Sequence, residues 1–278
     1  MPAIWVRNPT LAAIDLYFIE IPVFTFALVL GAALALLIGD AYARRSRLPR
    51  DLFWNAALVA TLAGLAGARL YHVLMHQDYY AANPDQILNF AQGGLGWRGG
   101  VMAGIIALAL YGIAIRRSGA RSRIWQLLDA IALGLAPALT IGWLGAHARG
   151  LYYGAVSDAP VAQVLPDEFG VFDLRFPIQL TLAIWFALVW LWLLWEMPRD
   201  PIPGRIVALF LGAGATGNFL LSFWRGDPTW MWNNLRFDQY MDAAIFIGSV
   251  IVFITRRTRP MLDVRTIEFK QVPPSPSP

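Results

Sequence analysis

Four arginines lie in or beside strongly apolar stretches of the chain, where a charged side chain is costly. They are Arg69, Arg98, Arg149 and Arg225. An arginine at the centre of a membrane helix costs about 2.5 to 3.5 kcal/mol on insertion scales, so each needs a partner or a function. For Arg69 the simplest explanation is a structural pairing with Asp129 or with a backbone carbonyl. Taken together, the four favour a site for an anionic phospholipid, because guanidinium groups bind phosphate in a bidentate manner.

A glycine-rich segment, GGLGWRGG at residues 93–100, contains one of these arginines. Glycines allow the backbone to turn tightly and to approach a bulky ligand. The start of the helix that follows attracts anions. We therefore predict that Gly94, Trp97 and Arg98 contact a phosphate group, although a glycine-rich loop with an interfacial Trp-Arg pair explains the same pattern.

Three histidines could titrate near neutral pH or bind metal. His72 and His76 stand four residues apart on one helix, and His147 closes a later helix. Two histidines at this spacing plus a third could hold zinc. No carboxylate spacing accompanies them, so interfacial histidines are favoured and neither a metal nor another cofactor is predicted.

Two apolar stretches end in clusters of polar and aromatic residues. IGWLGAHARGLYYG brings Trp143, His147 and Arg149 to the end of one helix, and GNFLLSFWRGDP brings Asn218 and Arg225 to the end of another. Arg175 and Arg236 follow in the adjoining loops. We expect these residues to converge with Arg69 and Arg98 on one pocket at the outer side of a membrane.

Seven apolar stretches must position these residues. Each is about 17 to 25 residues long, enough to cross the hydrocarbon core as a helix. They lie at 17–39, 52–75, 99–115, 124–146, 178–196, 205–225 and 237–255. With 58% hydrophobic and 14% charged residues, the chain is predicted to be an all-α integral membrane protein with seven transmembrane helices.

The basic residues gather on alternate loops, which predicts that these loops face the cytoplasm. The N-terminus then lies outside and the C-terminus inside, and the outer loops form the lipid pocket. Residues 1–16 are interpreted as an extracytoplasmic segment, 17–255 as the membrane domain, and 256–278 as a basic, proline-rich cytoplasmic tail.

Composition also excludes several classes of function. The chain has 0 cysteines, which excludes disulfides, thiol nucleophiles and lipidation of its own cysteines. The formal net charge of +4 is explained by the basic loops, so no nucleic-acid partner is expected.

Several motifs, in order, resemble those of the prolipoprotein diacylglyceryl transferase family. The run from GARLYHVL through NPDQILNFAQGGLGWRGGVMAG resembles the family's second helix, outer loop and glycine motif, and Asp129 matches an aspartate of the fourth helix. Residues 142–154 match the length of its signature at the end of the fourth helix. RFPIQL at 175–180 resembles its HPSQL-like element, and FWRGDP at 223–228 resembles its FFREP-like element. The resemblance covers about residues 17–255.

The chain differs from the family's pattern around the lipid. Arg98 stands where the glycine motif has histidine. In the fourth-helix signature Trp143 replaces an arginine, Ala146 and Arg149 replace asparagines, and Leu151 replaces a glutamate. In the sixth helix Asn218 and Ser222 replace an arginine and a glutamate, while Arg225 is retained.

The resemblance implies a bacterial plasma-membrane enzyme. Members of the family transfer the diacylglyceryl group of phosphatidylglycerol to the lipobox cysteine of a prolipoprotein signal peptide and release glycerol phosphate. Such a transfer needs cations for the departing phosphate, a base for the thiol proton and a lateral opening for lipid and peptide. Arg98 and His147 are the predicted catalytic residues, with His147 as the base.

Three classes of function remain open. The first is a divergent transferase in which the charges have moved. The second is a catalytically inactive or repurposed homologue that binds anionic phospholipid or a lipoprotein. A transporter is a third, less favoured class, because its candidate mid-depth polar residues gather toward one face; they are Arg69, Asp129, Thr140, Thr216 and Asn218.

Overall fold

Seven long helices make up most of the chain. The computed structural model describes residues 13–16, 19–89, 97–117, 121–167, 169–197 and 202–257. The helices are α1 (Val23–Arg45), α2 (Arg50–Met75), a short α3 (Gln77–Ala82), α4 (Trp97–Arg117), α5 (Arg121–Arg149), α6 (Ile178–Glu196), α7 (Arg205–Leu221) and α8 (Phe237–Arg257). Each of the seven predicted apolar stretches coincides with one long helix.

The first helix begins later than its hydrophobicity predicts. Residues 17–39 were expected to be helical, but the helix spans Val23–Arg45 and follows an antiparallel hairpin of β1 (Ala13–Leu16) and β2 (Ile19–Pro22). Pro22 accounts for the shift, because the residue before a proline is biased toward extended backbone and a helix readily starts just after one. The helix then continues to the arginines at its end.

Six of the described helices are long and apolar enough to cross a membrane. They are α1, α2, α5, α6, α7 and α8, whereas the apolar part of α4 is the shorter stretch Met102–Ile115. Membrane helices are therefore present as predicted, and the count of seven crossings stays a prediction.

Small residues bring α1 and α5 into close antiparallel contact. Gly134 of α5 lies against the backbone of Ala35 in α1, and Gly145 lies against Ala27. Glycines also bring α2 and α4 into close contact, where Gly64 faces Gly100 and Gly67 faces Gly99. Close backbone approach over glycine and alanine is the usual way for helices to associate in lipid, where the hydrophobic effect gives no driving force between them.

Two buried clusters hold the helices together. The larger one lies between α5, α6 and α7 and includes Leu133, Ile178, Phe186 and Phe210. The smaller one joins α1, α2 and α5 through the buried side chains of Ala43, Phe53, Ala56, Leu127 and Ala130, and the partly buried Leu108 and Tyr111 of α4 pack against it. Farther along α2 and α4, away from this cluster, large apolar side chains are exposed; they include Leu62, Leu65, Met102, Ile105 and Ile106.

The antiparallel packing gives the bundle two different ends. Arginines lie at one, which we call the arginine end; among them are Arg44, Arg45, Arg47, Arg50, Arg205 and Arg256. The other, the hairpin end, carries β1–β2 and two further antiparallel hairpins: β3 (Gln163–Pro166) with β4 (Phe172–Arg175), and β5 (Met231–Trp232) with β6 (Leu235–Arg236). Those predicted lipid-site residues that the structure describes belong to the hairpin end.

Asp129 has a structural role near the arginine end. It is fully buried and accepts hydrogen bonds from the backbone N–H groups of Gly204 (2.6 Å) and Val207 (2.8 Å). These groups open α7 and have no partner within that helix, so a carboxylate from α5 caps it. The suggested pairing of Arg69 with Asp129 is therefore wrong, because this carboxylate is engaged by α7.

Candidate functional site

The loops that follow α5 and α7 meet at the hairpin end. Gly154 pairs with Arg225, and Val156 pairs with Arg175, both in antiparallel fashion. The backbone of residues 153–157 thus runs between the segment entering α6 and the segment leaving α7. This pairing brings together the ends of helices that are far apart in sequence.

We call this paired backbone, residues 153–157 with Arg175 and Arg225, the frame. It carries a network of arginines and aspartates. Arg225 donates to both carboxylate oxygens of Asp227, at 2.8 and 2.6 Å, and to Asp238 at 3.4 Å. Arg236 donates to the Asp227 carbonyl at 3.0 Å and lies 3.3 Å from its carboxylate. Two arginines therefore share one aspartate.

This network is electrostatically balanced. Burial alone would lower the pKa of Arg225, but the hydrogen bonds and charges of Asp227 and Asp238 outweigh burial and raise it. Burial lowers the pKa of Arg236, and Asp227 offsets part of that effect. The expected convergence of Arg225 and Arg236 is observed, but their charges already face carboxylates.

Arg175 belongs to the same frame through different partners. Its guanidinium lies 3.3 Å from Asp167 and 4.9 Å from the centre of the Tyr153 ring. Asp167 follows β3 and Arg175 ends β4, so the ion pair spans the length of the β3–β4 hairpin. The backbone pairing of Arg175 with Val156 ties this hairpin to the frame.

An aromatic path connects the end of α5 to this network. Trp143 meets Tyr152 edge to face, with ring centroids 5.7 Å apart. The Arg225 guanidinium also lies over the Tyr152 ring, 5.8 Å from its centre. Two predicted site residues, Trp143 and Arg225, are therefore linked through a tyrosine that the sequence motifs did not single out.

His147 lies one helical turn beyond Trp143. The imidazole is partly buried, and the side chain of Gln179 at the start of α6 lies beside it. Gln179 is fully buried and donates from Nε2 to the carbonyl of Leu151 at 2.8 Å. Gly150, between them, has φ of +69°, which suits the residue that ends a helix and turns the chain.

Arg69 is a buried residue that holds a loop. Its guanidinium donates to the backbone carbonyls of Gln86 (2.6 Å), Ile87 (2.8 Å) and Asn89 (2.9 Å). These carbonyls belong to the 3₁₀ turn Pro84–Leu88 and the residue after it. The explanation of Arg69 as a structural arginine bonded to carbonyls is therefore observed.

The remaining predicted residues are described less completely. Trp97 and Arg98 open α4, but their side chains, and all of Gly94, lie outside the described residues. Arg149 is exposed at the end of α5, and Asn218 is half-buried in the last turn of α7. The prediction that these five contact a ligand stays a prediction.

Sequence reasoning missed Tyr152, Gln179, Asp227 and Asp238. Asp227 could have been found, because it stands two residues after Arg225, close enough for a local ion pair. Tyr152 and Gln179 gave no comparable signal. Their contacts depend on how the chain turns between α5 and α6.

Long apolar helices, arginines at one end and a polar, aromatic frame at the other define a multi-pass helical membrane protein. The chain belongs to the prolipoprotein diacylglyceryl transferase family, whose model matches residues 11–255. The match covers every long helix except the last two residues of α8.

Individual relatives agree along nearly the whole chain. The phosphatidylglycerol–prolipoprotein diacylglyceryl transferase of Clostridioides difficile (strain 630) is 28% identical, covering 89% of this chain and 96% of the relative. The protein of that name from Corynebacterium diphtheriae is 30% identical, covering 87% of this chain and 90% of the relative. That from Thermosynechococcus vestitus is 25% identical, covering 92% and 96%.

Proposed function

We propose that the protein is a phosphatidylglycerol–prolipoprotein diacylglyceryl transferase of the bacterial plasma membrane. Its substrates would be phosphatidylglycerol and a prolipoprotein whose signal peptide carries a lipobox cysteine. The observation that carries this proposal is the family match over residues 11–255. Two relatives that bear the name of this reaction align with 89% and 87% of this chain.

The reaction exchanges one bond at the lipid for one at the peptide. The cysteine sulfur forms a bond to the glyceryl carbon, and the bond from that carbon to the phosphate oxygen breaks. The oxygen keeps the electron pair and leaves as glycerol phosphate. The thiol proton passes to a base, for which we propose His147, and from there to solvent.

Arginines are proposed to hold the leaving phosphate. Arg225 lies at the centre of the frame, but its described donors face Asp227 and Asp238. A lipid phosphate would therefore share Arg225 with these carboxylates. Arg149 and Arg98 are the arginines proposed to supply the additional positive charge, as preorganised cations that stabilise charge on a departing group.

The proposed reaction needs a lateral opening for lipid, for which we propose the hairpin end of the α2–α4 and α1–α5 helix pairs. The side chains buried between α2–α4 and α1–α5 cluster near the arginine end. Toward the hairpin end, large apolar side chains of α2 and α4 are exposed. An opening walled by such side chains is suited to acyl chains, while the polar frame would meet the headgroup.

A specific observation favours the alternative, a relative that binds lipid or lipoprotein without transfer. Trp143 occupies the place of a family arginine and packs on Tyr152, while Arg225 is already paired with carboxylates. Both features reduce the free positive charge near His147. Transfer would then be slow or absent even though lipid binds.

Transport is less well supported. Arg69 and Asp129 bond to backbone groups, and the hydroxyls of Thr140 and Thr216 donate to Ala136 and Gly212 of their own helices. Polar groups used in this way are not free to line a solute path.

The decisive experiment is a transfer assay with purified protein. Protein is incubated with phosphatidylglycerol and a synthetic lipobox peptide, and the thioether product is sought by mass spectrometry. We expect product from the wild type and its loss by at least about 100-fold in His147→Ala. His76→Ala is the matched control, because His76 is exposed in the turn between α2 and α3.

Lipid retention separates the two proposals. Lipid extracted from the purified protein should be enriched in phosphatidylglycerol over the bulk membrane, and Arg149→Ala should reduce that enrichment. Arg47→Ala, an exposed arginine at the opposite end, is the control. Enrichment without thioether product would support the binding homologue. If neither enrichment nor product is found, both proposals are rejected.

A further inference from the structure

Gln179 is a fully buried polar side chain with only part of its hydrogen-bonding capacity used. Its Nε2 donates to the Leu151 carbonyl at 2.8 Å. A carbonyl can only accept, so this contact fixes which end of the amide is nitrogen. The other end, Oε1, is buried and has no hydrogen-bond partner among the described residues.

The imidazole of His147 also has a buried atom without a hydrogen-bond partner among the described residues. This atom is Nδ1. The side chain of Gln179 lies beside this histidine. A buried polar atom without a partner is unfavourable. These two neighbouring side chains each leave one such atom unpaired within the described part of the chain: an acceptor on Gln179 and, on His147, a nitrogen that can carry a proton.

We propose that Gln179 is a positioning residue for His147. The two unpaired atoms do not meet hydrogen-bond geometry in the structure, and a rotation of the imidazole would bring Nδ1–H to Oε1. That hydrogen bond would hold the neutral imidazole in the tautomer that leaves Nε2 unprotonated. Nε2 is then the nitrogen that takes a proton. This orientation by the partner of the other ring nitrogen is a general property of functional histidines.

The fold anchors the Gln179 amide. Gln179 is the second residue of α6, and its amide is anchored by the carbonyl of the turn that ends α5. The histidine lies on the last turn of the same α5. The two side chains therefore belong to helices, α5 and α6, that pack on each other through the larger buried cluster.

The consequence for catalysis rests on the proposed function. If His147 removes the thiol proton, the proton binds Nε2, and the positive charge on the ring is stabilised by the Gln179 oxygen. Without that oxygen the ring can rotate, and its free nitrogen is no longer held toward the substrate.

The tautomer can be measured without any substrate. Protein labelled with ¹⁵N-histidine is studied by NMR at a pH where the imidazoles are neutral. The chain has 3 histidines, and His147→Gln assigns the signal of interest. We expect Nδ1 of His147 to be protonated and Nε2 unprotonated in the wild type.

Two substitutions test the role of the amide oxygen. Gln179→Leu removes the acceptor at similar size and should shift His147 toward the Nε2–H tautomer. Gln179→Glu is buried and is expected to be protonated, so that its O–H replaces the donor to the Leu151 carbonyl while its other oxygen accepts from Nδ1–H. It should therefore preserve the Nδ1–H form. Gln163→Leu, an exposed glutamine on β3, should leave the spectrum unchanged.

Kinetics add a readout that a merely structural role would not produce. Gln179→Leu should lower kcat by about tenfold or more with little change in KM, and Gln179→Glu should restore most of kcat. A wild-type Nε2–H tautomer, or a tautomer unaffected by Gln179→Leu, would overturn the positioning role even if transfer occurs. The expected spectra without thioether product would instead reject the proposed function and leave the positioning role standing.

Discussion

Individual buried arginines in this protein stabilise its loops, in addition to pairing with its carboxylates. Nε of Arg69 donates to the backbone carbonyl of Ile87, and Nη2 donates to those of Gln86 and Asn89. The guanidinium also lies 5.4 Å from the centre of the Tyr80 ring. The loop it holds leads directly toward the glycine motif. Arg69 therefore stabilises residues 86–89 whether or not it contacts a ligand.

Replacing Arg69 by alanine should release this loop. Three backbone carbonyls lose a charged donor, and we expect unfolding to become easier by about 2 to 4 kcal/mol, since charged hydrogen bonds are the stronger ones. Hydrogen exchange at residues 84–89 and thermal unfolding in detergent would measure the effect. Arg149→Ala is the control, because Arg149 is exposed; equal effects of the two substitutions would contradict the structural role.

Asp227 is the shared partner of two arginines and should be equally important. Asp227→Ala leaves Arg225 and Arg236 in a partly buried site without their main carboxylate, which should cost about 3 kcal/mol of stability. Asp173→Ala, which removes an exposed carboxylate from β4, should have little effect. A thermal unfolding midpoint of Asp227→Ala that matches the wild type would show that the network is not stabilising.

The residue types of the site could be predicted, but their partners could not. Apolar surroundings indicate that Arg69 must be neutralised, yet either Asp129 or a carbonyl satisfies that requirement. Only the fold reveals that Asp129 caps α7 and that the 84–89 carbonyls surround Arg69. In the same way, Gln179 meets His147 because α6 starts beside the end of α5, which no local pattern encodes.

At the scale of elements, close helix contacts depend on particular glycines. A β-carbon added at Gly134 would run into the carbonyl oxygen of Ala35, whereas one added at Gly142 of the same helix would meet no atom within 4 Å. Helix packing through small residues explains the difference.

These two glycines provide a matched test of the α1–α5 contact. Gly134→Ala should push the helices apart and destabilise the protein by about 1 to 3 kcal/mol, as overpacking does. Gly142→Ala should be neutral or stabilising by up to about 1 kcal/mol, because alanine favours the helix. Thermal unfolding in the same detergent compares them, and equal midpoints would mean that α1 and α5 are less closely packed than described.

Element type was easier to predict than the connections between elements. Hydrophobic length identified α6 with the observed bounds, Ile178–Glu196, because nothing but apolar packing defines it. The hairpins were not predicted, since their strands are only two to four residues long. The β5–β6 turn has Asn233 and Asn234 at positive φ, a recognisable hairpin signal once the flanking residues are considered as strands.

At the scale of the whole molecule, the two ends have opposite chemical character. At the arginine end, the arginines outnumber the nearby carboxylates. At the hairpin end, arginines are paired with Asp167, Asp227 and Asp238. The positive-inside rule then predicts the arginine end to be cytoplasmic and the hairpin end external. Substrate access from outside the cell depends on this orientation.

Single-cysteine labelling can test both orientation and the number of crossings, because the natural chain has 0 cysteines. Asp158→Cys is exposed at the hairpin end, and Arg45→Cys is exposed at the arginine end. In intact spheroplasts a membrane-impermeant maleimide should label Asp158→Cys only, and in inverted vesicles it should label Arg45→Cys only. If α4 did not cross the membrane, both positions would be on one side and would be labelled together. The reverse pattern would place the hairpin end in the cytoplasm and remove the route by which an external lipobox cysteine could reach His147.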